Sequence, residues 1–108
     1  MRRGELWTVA GGVYASKPRP ALIVQDDLFT GTASVTVAPL TTTLVDAPLL
    51  RVRVAADDVT GLQHESHVVI DKITTVRREN VGTRVGLLAP ETLVEVERAL
   101  MAFLGLAR

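Results

Sequence analysis

Lys17-Pro18-Arg19-Pro20-Ala21-Leu22-Ile23-Val24-Gln25-Asp26-Asp27 carries the strongest strand signal in this 108-residue chain. Ala21 to Val24 is an unbroken apolar run, closed by prolines before it and by polar residues after it. A run this short suits a strand buried on both faces rather than a helix. Pro18 and Pro20 fix their own φ and extend the residues that precede them. Arg19 lies between them, so its side chain leaves a stiff backbone at the end of a Gly-containing loop, Gly11 to Pro18.

Working outward, the same reading gives more short strands. Glu5 to Val9 alternates around Leu6, Trp7 and Val9. Ser34 to Leu40 is rich in Val and Thr, with Pro39 predicting an edge or a bulge near its end. Thr41-Thr42-Thr43 follows. Leu50 to Val54 alternates apolar residues with Arg51 and Arg53, the pattern of a strand with one wet face. Asp57 to Gly61 is turn material. His67 to Ile70 and Ile73 to Val76 are short strands, and Asn80 to Gly86 reads as turns because of its Asn and two glycines. The last element is a helix. Pro90 fits its first position, Leu93, Val96, Leu100, Phe103 and Leu104 follow helical spacing, Glu91 and Glu95 suit its positive N-terminus, and Gly105 is the stop. Several short strands followed by one helix predict a mainly β fold: a small antiparallel barrel carrying a C-terminal helix, as one domain over residues 1–108.

Composition narrows the function classes. Hydrophobic residues make up 47% of the chain but aromatics only 4%, so the core is built from Val, Leu, Ile and Ala. With no cysteine, disulfides and thiolate zinc sites are excluded. No apolar run approaches the roughly 20 residues that span a bilayer, and no apolar stretch of signal-peptide length follows Arg2 and Arg3. No membrane partner is expected, and the chain reads as cytoplasmic. Twelve Lys and Arg balance twelve Asp and Glu. Nonspecific polyanion binding depends on many neutralised phosphates, so any nucleic-acid site must gather its cations locally.

Arg3-Gly4-Glu5-Leu6-Trp7 resembles the opening strand of the MazF/PemK (Kid-type) toxins. Lys17 to Asp27 resembles their second block, an Arg-Pro pair followed by an apolar run and polar residues. Val37-Ala38-Pro39-Leu40-Thr41-Thr42 resembles the third, Val68-Val69-Ile70-Asp71-Lys72-Ile73 the fourth, and Leu87 to Thr92 with the helix behind it the fifth. The blocks come in family order over nearly the whole chain. The resemblance implies an SH3-like barrel of the CcdB/PemK kind, working as a homodimer that a small MazE-like antitoxin holds in check. It implies the toxin of a type II toxin–antitoxin system, an endoribonuclease that cuts single-stranded RNA at a short sequence without metal or cofactor. In such a reaction the 2′-hydroxyl attacks the adjacent phosphorus and the next 5′-oxygen leaves, giving a 2′,3′-cyclic phosphate and a 5′-hydroxyl.

The resemblance also implies roles. Arg19 matches the catalytic arginine, and its planar, permanently charged fork suits phosphate oxygens. Thr41 matches the catalytic Thr or Ser, whose hydroxyl can donate to a nonbridging oxygen. Lys17, Pro20, Thr42, Asp71 and Lys72 are the expected RNA-binding residues, with Asp71 matching a groove-lining position. The acid-base partner is open. The histidine that some relatives carry before the Arg-Pro pair is missing, Val69 and Thr74 occupy two further places where a cation is sought, and Lys72 is the nearest one. His64 and His67 read as loop or surface histidines, and without a third ligand they make a weak zinc site. Arg51, Arg53, Arg77 and Arg78 read as solvated strand faces unless the fold aligns them. Trp7 reads as core or dimer interface. Two rivals are a CcdB-like gyrase poison on the same fold, disfavoured by a C-terminus without Trp, and a noncatalytic SH3-like binding module, disfavoured by the scarcity of aromatics.

Overall fold

The computed structural model describes residues 1–11 and 15–107. Strands β1 (Glu5–Gly11), β2 (Ala15–Ile23), β3 (Ser34–Thr41), β4 (Arg51–Val54), β5 (Ser66–Val69), β6 (Thr74–Arg77) and β7 (Val81–Leu87) precede the single helix α1 (Pro90–Phe103). All pairings are antiparallel, in the order β4-β5-β3-β2-β1-β7, and β6 joins β3 off this path.

The Lys17-Pro18-Arg19-Pro20 segment is strand rather than the end of a loop, because β2 begins at Ala15. Residues 12–14 of the expected loop lie outside the described residues. Val24 N–H donates to the Thr36 carbonyl on β3. Strand parity therefore turns the nitrogens of Pro18 and Pro20 toward β3 as well, away from the β1 ladder in which Pro20 faces Thr8 and Arg19 faces Val9. The missing proline donors cost the β1–β2 ladder nothing, and the β2–β3 ladder stops at Ala21 and Pro39. By the same parity the nitrogen of Pro39 faces the other edge of β3. It falls in the gap where β6 ends, at the Val37–Thr74 pair, and β5 begins, at the Leu40–Val68 pair.

Alternation on β1, β2 and β3 buries both faces, as the run Ala21 to Val24 predicts. Leu6, Leu22, Ala38 and Leu40 join Val52, Val54, Val68, Ile70, Leu88 and Val96 on one side. Val9, Ala21, Ile23, Val35, Val37 and Val76 pack on the other, with Trp7 against them. From α1, Val96 is fully buried and Leu93, Ala99 and Leu100 pack on the first cluster, whereas Phe103 and Leu104 are about half exposed. The apolar stripe of the helix thus meets the core only over its earlier turns. Gly105, at φ +73°, ends the helix. Its N–H donates to the Ala102 carbonyl and Leu106 N–H to that of Met101, the paired bonds of a Schellman motif.

Asn80 to Gly86, expected as turns, is mostly strand. Its glycines serve close packing: a Cβ on Gly82 would strike the Thr8 hydroxyl, and one on Gly86 would strike the Thr60 carbonyl. The expected barrel also needs correction. No strand pairing joins β4 to β7 among the described residues, so the sheet is open. The second edge of β3 is divided between β6 and β5, and the sheet forks there. What reaches β7 from the far side is a turn. Leu87 N–H donates to the Val59 carbonyl, and Gly61, at φ +69°, lies so close that a Cβ would collide with the Val85 carbonyl oxygen. Gly61→Ala should therefore destabilise the fold by about 1–3 kcal/mol through overpacking, with left-handed strain added. Gly31→Ala, with open space around it, should leave the urea midpoint near wild type. Equal midpoints for the two variants would refute this docking.

The Arg3-Gly4-Glu5 block is structural. Arg3 pairs with Glu97 of α1 at 2.7 Å. Gly4, at φ +90°, passes Leu93 closely and exchanges backbone hydrogen bonds with Ile23 and Leu88. Glu5 accepts from Arg2 N–H, the Trp7 indole and Arg84. Burial raises its carboxyl pKa, but the Arg2, Arg84 and Trp7 bonds outweigh this and hold it at about 2, against an ordinary 4.5. A carboxylate depressed in the folded state stabilises above its unfolded pKa and loses that contribution as pH falls through the folded one. Glu5→Gln should thus be less stable than wild type at neutral pH, and the gap should narrow between pH 4.5 and about 2. Urea unfolding at pH 7 and pH 3 checks this, and a gap independent of pH would contradict it.

Candidate active site

Strand parity sorts the expected site residues. On β2, Lys17 and Arg19 share the face of Ala21 and Ile23, whereas Pro20 shares that of Leu22. On β3, Thr41 shares the face of Val35 and Val37, whereas Thr42, just past its end, continues the face of Ala38 and Leu40. The structure brings Arg19 and Lys72 to one groove and Pro20 and Thr42 to another, while Lys17, Thr41 and Asp71 line neither.

The first groove, about 470 Å³, opens at the fork of the sheet. Arg19, Lys72 and Arg77 bring three cations to it, with Pro39, Thr75 and Asn80 among the other walls. No carboxylate lines it among the described residues. Arg19 is exposed, and among the described residues neither Arg19 nor Lys72 is held in an ion pair. Arg77 reaches Glu79 at 3.4 Å, with both side chains largely exposed, a contact of little strength in water. This is the local concentration of charge that a neutral protein needs in order to hold a phosphate. Pro39 supplies the rigid floor and the 3₁₀ turn Ile70–Lys72 the lysine. Ile70 anchors that turn through its buried side chain and an N–H bond to the Leu50 carbonyl. Asp71 stands exposed on it and lines neither groove.

Thr41 is half-buried at the end of β3. Its Oγ1 accepts the Thr43 N–H at 3.1 Å. That bond fixes the hydroxyl and leaves its proton free to donate. Arg19 and Thr41 each lie two residues beyond the Ala21–Pro39 pair, on the same face of neighbouring strands. Pro20 and Thr42 line the second groove, about 360 Å³, together with Leu62, Gln63, His64 and Ser66.

Of the four further arginines, only Arg77 enters the first groove. Arg51 donates to the Thr43 carbonyl at 3.2 Å. Arg53 pairs with Glu65 at 2.6 Å, and its hydrogen bond holds that carboxyl below the usual range. Arg78 donates to the Thr32 carbonyl. Sequence reasoning left Arg77 open, missed Asn80 as a groove residue, and missed the position of His67. That residue stands on β5 directly opposite Thr41 on one side and Arg53 on the other. Only the strand register reveals this.

The geometry meets independent comparison here. A family model described as "PemK-like, MazF-like toxin of type II toxin-antitoxin system" matches residues 2–104. The chain belongs to this toxin family. A probable endoribonuclease MazF from Mycolicibacterium smegmatis is 54% identical to it over 108 residues, covering 99% of each chain. A mycobacterial endoribonuclease solved in complex with its cognate antitoxin is 28% identical, with a TM-score of 0.81, over 100% of this chain and 98% of that one. The Mycobacterium tuberculosis toxin MazF-mt6 is 27% identical, with a TM-score of 0.82, over 96% and 99%. These likenesses bear out the family resemblance read from the five blocks and favour the MazF-like nuclease over the gyrase-poison and binding-module readings. Within a MazF-like chain, the Arg3-Gly4-Glu5 block ties the N-terminus to α1 and β7, and the Arg19-Pro20 block places a cation at the fork.

Proposed function

We propose that this MazF-like toxin is a metal-independent endoribonuclease that holds the scissile phosphate of single-stranded RNA in the first groove. The observation that carries the reading is Arg19, exposed and free of ion pairs among the described residues, in a carboxylate-free groove shared with Lys72 and Arg77. Arg19 binds the nonbridging oxygens through its fork and stabilises the charge that grows on them as the 2′-oxygen attacks. Thr41 donates its hydroxyl to the same phosphate. Lys17, on the face of β2 that carries Arg19, and Lys72 hold flanking phosphates. Pro20 and Thr42 offer the second groove to a neighbouring nucleotide, and Asp71, exposed beside Lys72, reads a base edge. Single-stranded RNA is the substrate because its bases and riboses can be splayed out, whereas a duplex fixes them.

The active species is a homodimer, as the exposed Leu49, Phe103, Leu104 and Leu106 suggest. Residues 1–108 form one domain, and its forked, curved sheet is the open form of an SH3-like barrel. The toxin acts in the cytoplasm, and no helix among the described residues is long and apolar enough to cross a membrane. A MazE-like antitoxin blocks the first groove by presenting carboxylates where phosphates otherwise sit.

The 2′-hydroxyl is the nucleophile, so no metal-bound water is needed. Among the described residues no three His, Asp or Glu side chains gather as a metal site. Cleavage of a long RNA should therefore persist in EDTA. Loss of activity in EDTA, with recovery on adding Mg²⁺ or Mn²⁺, would overturn the mechanism.

A further inference from the structure

The first groove supplies charge stabilisation through Arg19, Lys72 and Arg77, but no histidine lines it among the described residues. Arg19 stays charged, and Thr41 is a weak acid. Yet the departing 5′-oxygen leaves as a strongly basic alkoxide unless it is protonated in flight.

His67 lines neither groove but stands beside Thr41. In the register of β3 with β5 it is the residue directly across from Thr41. Directly opposed residues on antiparallel strands bring their Cβ atoms to about 4.5–5.5 Å. Their side chains share one face, which also carries Arg19 on β2, one strand beyond Thr41 and two from His67. His67 is half-buried. Its Nδ1 is fully buried and has no hydrogen-bond partner, so Nε2 is the nitrogen left for outside contacts. A buried polar atom without a partner calls for an explanation. The charged groups around it are Arg53, opposite on β4, Glu65, which Arg53 holds just before β5, and Asp71 and Lys72 beyond the end of β5.

We propose that His67 is a further catalytic residue, the general acid that protonates the leaving 5′-oxygen. The proposal rests on the endoribonuclease reading above. As the bond from the 2′-oxygen to phosphorus forms, the bond from phosphorus to the 5′-oxygen breaks and its electron pair stays on that oxygen. The Nε2 proton of the imidazolium passes to it, giving the 5′-hydroxyl. The proton of the 2′-hydroxyl goes to solvent water, and solvent recharges the imidazole before the next turnover, so atoms and charge balance. Histidine suits this work because its charge changes near physiological pH.

The test uses two RNA oligonucleotides that carry the cut site mapped in a wild-type digest. One has the natural bridging 5′-oxygen and the other a bridging sulfur, which leaves as a thiolate and needs no proton. His67→Gln should cut the oxygen substrate slower by about 10²–10⁴-fold, the usual contribution of a general acid. It should cut the sulfur substrate at close to the wild-type rate. Oxygen-substrate cleavage within about threefold of wild type, or equal losses on both substrates, would overturn the proposal. If the variant fails to fold, the wild-type protein decides. Its rate on the oxygen substrate should fall toward alkaline pH while its rate on the sulfur substrate does not, and parallel profiles would refute the assignment. A mapping digest in which the wild type cuts no RNA would instead reject the endoribonuclease reading itself.

Discussion

Arg19→Ala loses cleavage by on the order of 10²–10³-fold, by analogy with removing one oxyanion donor, and unfolds at the wild-type urea midpoint. Both halves follow from position. The side chain is exposed, and no ion pair or hydrogen bond among the described residues depends on it. Its backbone is held by the β1 ladder opposite Val9 and by prolines on each side, so truncation leaves β2 in place. What is lost is the planar donor in a groove where Lys72 and Arg77 remain. Those two preserve much of the RNA affinity, so the loss should fall on kcat more than on KM. Arg19→Lys should recover part of the rate, because the charge returns without the fork. A folded Arg19→Ala protein with near wild-type turnover would move the phosphate out of the first groove.

A larger effect is expected from the substrate. Replacing the single ribose on the 5′ side of the cut by deoxyribose removes the nucleophile and leaves every phosphate. Cleavage should vanish, while binding stays within a few-fold because the contacts to Arg19, Lys72 and Arg77 are to phosphate. The modified oligonucleotide should act as a competitive inhibitor of the all-ribose one. Its affinity should show a shallow salt dependence, since only a few phosphates are neutralised. Gel-based cleavage and fluorescence anisotropy on the matched pair measure both quantities. Cutting of the deoxy-substituted strand at the same bond would mean that water, not the 2′-hydroxyl, attacks.

Much of this was legible in the sequence, for physical reasons that differ from element to element. The run Ala21 to Val24 announced a strand buried on both faces, because only such a strand tolerates unbroken apolar residues, and both sides of Leu22 are indeed core. Pro90 and Gly105 marked the ends of α1 because each suits one terminus of a helix and not the other. Pro39 announced an irregularity and lies at the gap in the ladder. The errors have causes as definite. The glycines of β7 read as turns, but they are there because the Thr8 hydroxyl and the Thr60 carbonyl leave no room for a Cβ, a tertiary demand with no local signature. Lys17 to Pro20 read as the end of a loop because proline removes a donor, yet the donors removed here face the edge that β3 has already left. The turn expected at Asp57 to Gly61 is present, and it docks on β7 where the sheet of described strands stays open. At the site, Arg19 and Thr41 came from family resemblance, and strand parity then put them on one face. The separation of Pro20 and Thr42 into a second groove, and the alignment of His67 with Thr41, depend on register. Hydrophobic pattern constrains register without fixing which polar residues meet.

We propose that this chain cuts the RNA itself, through Arg19 on β2 and Thr41 on β3 and without a metal. The most direct measurement is mass spectrometry of the fragment ends after wild-type digestion of a single-stranded RNA in EDTA. One fragment should carry a 2′,3′-cyclic phosphate and the other a 5′-hydroxyl. Fragments ending in a 3′-hydroxyl and a 5′-phosphate would contradict this.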